Sequence, residues 1–124
     1  MEKGRKMEKF TIDNYIPDDL GLDEEIIISS KHTLFPIYYY VTTKRIFREN
    51  KLTHKILEEI EPRKVKDITI TQSKIQSFKN RGTLYLEHSN FKKETPFMRK
   101  KFFCMKNVRS PQHVLIKLRR SFNI

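Results

Sequence analysis

"VKDITITQSKIQSFKNRGTLYLEH", residues 65–88, contains two runs in which apolar and polar side chains alternate. In the first, Ile68 and Ile70 share one face while Asp67, Thr69 and Thr71 take the other; in the second, Leu84 and Leu86 oppose Thr83, Tyr85 and Glu87. A side-chain period of two sends one set inward and the other to solvent, so each run reads as a half-buried strand. Gly82, within "NRG", reads as the turn between them.

The flanking sequence extends this β pattern in both directions. "EEIIISS" (24–30) is a β-branched strand, and "HTLFP" (32–36) turns the chain at Pro36. "IYYYVTTKRIFREN" (37–50) is dense in aromatic and β-branched residues and reads as one strand ending at Asn50 and Lys51. Regular alternation there would set Lys44 and Arg48 on one face and Arg45 on the other. In "THKILEEIE" (53–61), Ile56, Leu57 and Ile60 fit a helix as well as a strand; Pro62 keeps the element short, and its neighbours favour a strand. "KFFCMKNV" (101–108) is a further strand. Six to seven short strands in roughly 85 residues match the spacing of a closed or nearly closed antiparallel barrel.

Helical periodicity is clear only at the C-terminal end. Ser110 suits an N-cap and Pro111 the first helical position, where its missing N–H costs nothing. Val114, Leu115, Leu118 and Phe122 then share a face, with Lys117 and Arg120 pointing elsewhere.

At 124 residues, 37% of them apolar and with no low-complexity run, the chain can close one modest core. Residues 1–22 read as a loosely held leader punctuated by Pro17 and Gly21, with Tyr15 and Ile16 tucked against a body formed by residues 23–124. No apolar run approaches the ~20 residues of a membrane span, and the first ten residues lack the apolar stretch of a secretory signal. The lone Cys104 cannot make an internal disulfide, which fits a reducing compartment. The expected location is cytoplasmic, with peripheral contact at the inner face of the membrane if lipid is the partner.

Charge is divided unevenly. Residues 1–30 hold four Lys/Arg against eight Asp/Glu, a net of −4, which leaves 22 positive and 7 negative charges, a net of +15, for residues 31–124. Such an excess attracts an anionic membrane surface, an acidic protein or nucleic acid. It is densest in "FKKETPFMRKKFF" (91–103), where Lys92, Lys93, Arg99, Lys100 and Lys101 surround Phe97 and Met98 just after Pro96. Proline opposes continuation of a ladder, so this reads as a hairpin tip. Its cations would meet anionic headgroups while Phe97 and Met98 enter the acyl boundary. Sealing of an open barrel edge by Phe97 is the competing structural explanation.

Signals for catalysis or metal binding are weak. His32, His54, His88 and His113 are scattered, each expected at the surface or partly packed, and no second cysteine joins Cys104, which reads as an inert core thiol. Gly4, Gly21 and Gly82 cannot form a phosphate-cradling loop, and no G-x-S-x-G elbow is present. Neither a cofactor nor catalytic residues are expected. Tyr38, Tyr39 and Tyr40 over a basic sheet would suit stacked bases, which keeps nucleic acid as an alternative partner. Pairing of exposed barrel edges between chains is a third, structural role.

The phrases "EEIIISSKHTLFP", "YYYVTTKRIF", "EEIEPRKVKDITI", "RGTLYLEH" and "KNVRSPQHVLIKLRRSF", in this order, resemble the bacterial pleckstrin-homology-like family over residues 24–122. The resemblance implies an antiparallel split barrel of two sheets, capped by one C-terminal α-helix, that binds lipids or proteins without catalysis. By the same resemblance Lys31 and Lys44, near the first strands, are anion contacts. Many relatives carry membrane-spanning helices where this chain has only "KHTLFPI", so membrane integration is not implied.

Overall fold

The computed structural model describes residues 15–88 and 101–124. Its elements run β1 (Ile26–Lys31), β2 (Ile37–Thr42), β3 (Ile46–Asn50), β4 (Lys55–Ile60), a 3₁₀ turn (Pro62–Lys64), β5 (Val65–Thr71), α1 (Lys74–Phe78), β6 (Arg81–His88), β7 (Lys101–Arg109) and α2 (Pro111–Phe122). Strands β1 to β4 form one antiparallel sheet in chain order, and β5 to β7 form a second. The chain is therefore mainly β with a C-terminal helix. The described residues form two sheets and no closed barrel.

Alternation in the sequence becomes the core between these sheets. Ile28, Tyr39, Val41, Ile46 and Ile60 from the first sheet meet Val65, Ile68, Leu84, Leu86, Phe103, Met105 and Val108 from the second. The Tyr39 and Phe103 rings cross edge to face, centroids 6.3 Å apart. Helix α2 closes the core with Val114 and Leu118 fully buried and Leu115 and Phe122 packed beside them, as its periodicity predicts. Along the seam between β1 and β7, side chains bridge the sheets: Ser30 Oγ donates to the Lys106 carbonyl at 2.9 Å, and Asn107 Nδ2 donates to the Lys31 carbonyl at 2.9 Å.

Local chemistry corrects the sequence reading in several places. The 37–50 stretch is a hairpin, because Thr42 Oγ1 accepts from the amides of Lys44 (3.1 Å) and Arg45 (3.0 Å) and closes a turn. Gly82 lies inside β6, and the positive φ of 58° belongs to Asn80. A Cβ on Gly82 would lie 3.0 Å from both Gln72 Cγ and Pro111 Cγ, so close approach of α2 to β6 is what requires glycine. Helix α1, unforeseen, carries a complete capping box between Ser73 and Gln76. Ser110 sits at the N-cap of α2 in a left-handed conformation, and its Oγ accepts from Asn80 Nδ2 at 3.0 Å instead of capping. His88 is buried, and Cys104 is half-buried on the face of β7 opposite Phe103 and Met105, outside the core. Tyr15 is tucked against the body as expected, whereas Ile16 is exposed.

The helix cap generates a stability prediction. Leu118→Ala should lower the unfolding free energy by about 2–5 kcal/mol, while Ile116→Ala, on the exposed face of α2, should change it by less than about 0.5 kcal/mol. Urea melts of the two variants test this, and equal effects would refute the orientation of the helix.

Candidate anion-binding site

The first sheet has a second face, and residues 15–25 cross it as a strap. Strand alternation turns Tyr38 and Tyr40 of β2 away from the core that takes Tyr39 and Val41. Tyr40 stacks on its cross-strand partner Phe47 at 5.1 Å, and both are fully buried. Tyr15 meets the Tyr38 ring edge to face at 5.1 Å while its amide donates to Ser29 Oγ.

Charge fixes the strap. Arg45 lies over the Phe47 ring at 4.1 Å, donates from Nε to Glu24 Oε2 at 2.8 Å, and reaches Asp19 through Nη2 at 3.1 Å. Thr42 Oγ1 and the Gly21 amide donate to the same buried Glu24 carboxylate. The Arg45 guanidinium beside it, more than any other contact, holds the Glu24 carboxyl at about 2. Farther along, Asp18 pairs with His54 (2.8 Å) and Lys51 (3.7 Å), and Lys51 Nζ also donates to the Ile16 carbonyl. The hydrogen bond from His54 lowers the Asp18 pKa, while burial, then Asp18 itself, raises that of Glu49.

A different distribution holds at the far end of the second sheet. There α1, the start of β6, the later part of β7 and the β1–β2 loop enclose an open cleft of about 710 Å³, within the size range of small-ligand sites. Lys79, Arg81 and Lys106 line it together with polar Thr33, Gln76 and Asn107, and among the described residues no carboxylate lines it. Register explains the convergence. Gly82 pairs with Val108 but Leu84 pairs with Met105, so β7 carries an extra residue opposite Thr83. Asn107, at φ 58°, absorbs the bulge, and its carbonyl accepts from Arg81 Nη1 at 3.1 Å. The fixed backbone thus sets Arg81 against β7 and turns the neighbouring Lys106 outward to solvent.

The residues expected from sequence fall at separate places. Lys31 ends β1, with Nζ 3.3 Å from the His32 carbonyl and 5.7 Å from the Tyr38 ring centroid. Lys44 is exposed in the β2–β3 turn. Lys31 pairs with Tyr38 at the start of β2, whereas Lys44 follows its end, so the two stand at opposite ends of the sheet and cannot share one small anion. Lys101 opens β7 and pairs with His88. Lys92, Lys93, Phe97, Met98, Arg99 and Lys100 lie outside the described residues. The segment that contains them joins His88 to Lys101, about 24 Å along β6 from Arg81 at ~3.4 Å per residue. Tyr39 and Tyr40 are buried and Tyr38 lies against Tyr15, so the three tyrosines provide no exposed stacking platform.

Sequence reasoning missed the cleft because strand register, and not proximity in the chain, unites its three cations. The S-x-x-Q capping box at Ser73–Gln76 is the one local signal that locates its α1 wall. Among the described residues no three His, Cys, Asp or Glu side chains gather where they could hold a metal, and no helix is long and apolar enough to cross a membrane. Comparison with protein-family models, curated proteins and solved structures found no match to this chain.

The strap chemistry has a pH signature. The folded-state pKa of Glu24 lies below the ordinary value of 4.5, so its contribution is fully present above about pH 4.5 and is lost as pH falls through about 2. Glu24→Gln should cost about 2 kcal/mol at pH 7, with the deficit shrinking in urea melts carried out towards pH 2. A deficit that does not change with pH would contradict the ion pair.

Proposed function

We propose that this chain is a non-enzymatic binding module of pleckstrin-homology-like fold that holds anionic partners: an anionic membrane surface or an acidic protein. The cleft lined by Lys79, Arg81 and Lys106, with no carboxylate among the described residues of its wall, is the observation that carries this reading. Cations gathered in a wall with no carboxylate among its described residues attract an external anion. A four-stranded sheet, a three-stranded sheet and a closing helix, in that order, support the fold assignment. In this proposal Lys92, Lys93, Arg99, Lys100 and Lys101 add to the attraction for an anionic surface, and Lys31 adds to the cleft end. Nucleic acid is the less favoured partner because Tyr39 and Tyr40 are buried.

Titration against anionic vesicles, neutral vesicles, short duplexes and single strands tests the proposal. Each basic residue near an anionic surface contributes about 1 kcal/mol, so Lys79→Gln with Lys106→Gln should weaken binding to anionic vesicles roughly 30-fold. The five-cation variant at 92, 93 and 99–101 should weaken it further and flatten its dependence on salt. Phe97→Ser with Met98→Ser tests insertion at that tip, which would be lost at every salt concentration because apolar burial is not screened. If the cleft variant binds as the parent does, the cleft is not the site; if the parent binds neither anionic vesicles nor nucleic acids, or binds neutral vesicles equally well, the anion-binding reading is wrong.

A further inference from the structure

The cleft does not stand alone at its end of the molecule. Leu34 is 80% exposed and Phe35 55%, in the loop that contributes Thr33 to the cleft wall; Ile75 is 69% exposed and Phe78 92%, one turn apart on α1. Leu52, 76% exposed, lies in the β3–β4 turn, which the Lys51 amide ties to the Pro36 carbonyl of the same loop at 2.9 Å. Large apolar side chains are therefore presented from three adjoining segments beside a cationic cleft.

Both segments next to the cleft are pre-formed. The β1–β2 loop is organised by His32, whose Nδ1 accepts from the Leu34 amide at 3.1 Å and whose ring lies 5.0 Å from that of Phe35. Helix α1 is fixed by its capping box. Little ordering is then needed when these side chains leave water. Lys31, at the root of the loop, and Lys74, in the first turn of α1, place further positive charge at the same end.

We infer that this end of the molecule docks on an anionic lipid bilayer, with headgroup phosphates in the cleft of Lys79, Arg81 and Lys106 and with Leu34, Phe35, Ile75 and Phe78 in the headgroup–acyl boundary. The inference rests on the anion-binding reading and assigns its partner. Cations beside projecting apolar side chains complement the two layers of such a surface, charge outside and hydrocarbon beneath. The separate projection of the apolar groups favours a bilayer over an acidic protein. A fluid boundary receives side chains from a loop and a helix without matching pockets, whereas a protein partner must supply a complementary pocket for each.

The chain contains no tryptophan, so Phe78→Trp gives a single emission reporter at an exposed position. With vesicles of mixed phosphatidylglycerol and phosphatidylcholine its emission should shift to the blue and fall at least twofold when the acyl chains are brominated. Replacing Leu34, Phe35, Ile75 and Phe78 together by Ser should weaken vesicle binding at least tenfold and leave pyrophosphate binding to the cleft unchanged. Sedimentation of the Phe78→Trp variant with vesicles while its emission stays at the value in buffer would overturn the docking face and leave anion binding intact, as would pyrophosphate binding without vesicle binding. Quenching of a Phe97→Trp reporter but not of Phe78→Trp would transfer the docked end to the β6–β7 connection and overturn the inference. Failure to bind vesicles and pyrophosphate alike would overturn both this inference and the anion-binding reading.

Discussion

The Arg45–Glu24 ion pair anchors the strap across the outer face of the first sheet. The Glu24 carboxylate also receives the Thr42 hydroxyl and the Gly21 amide, so one buried acid joins the strap, the β2–β3 turn and the guanidinium that lies over Phe47. Without the strap, the stacked Tyr40 and Phe47 would face water across the second side of the first sheet. The acidic segment near the start of the chain is thus a structural counterion layer for one face of one sheet. Asp18 and Asp19 serve it through Lys51, His54 and Arg45.

Carboxylates committed there cannot act elsewhere. Glu58 meets Arg48, Glu61 meets Arg63 and Asp67 meets Arg119, on β3 and β4, the 3₁₀ turn, and β5 with α2. At the start of β6 the bulge in β7 and the short helix α1 bring Lys79, Arg81 and Lys106 around a cleft with no acid among the described residues of its wall. A net positive charge becomes a local field only where the fold withholds the opposite sign. In this molecule the bulge and helix α1 set the cations around the cleft.

Features governed by period were legible in the sequence. Ile68, Leu84, Leu86, Val114 and Leu118 are buried as their spacing requires, because alternation and helical repeat report directly on a single buried face. Features governed by one side-chain hydrogen bond were not. Thr42 closes a turn inside a run of strong strand formers, and Asn80, two residues before the glycine that read as the turn, takes the positive φ. The cleft was invisible for a third reason. Its cations stand on two strands and the end of a short helix, and only register brings them together, whereas the dense charge of residues 91–103 announces itself in the linear sequence.

Binding of external anions where Lys79, Arg81 and Lys106 converge is the central claim, and amide chemical-shift mapping during a pyrophosphate titration addresses it directly. Saturable shifts are expected, concentrated at Thr33, at Lys79 to Thr83 and at Lys106 and Asn107, and weakening as salt is raised. Shifts confined to residues 89–101, or spread evenly over all basic residues without saturation, would contradict it.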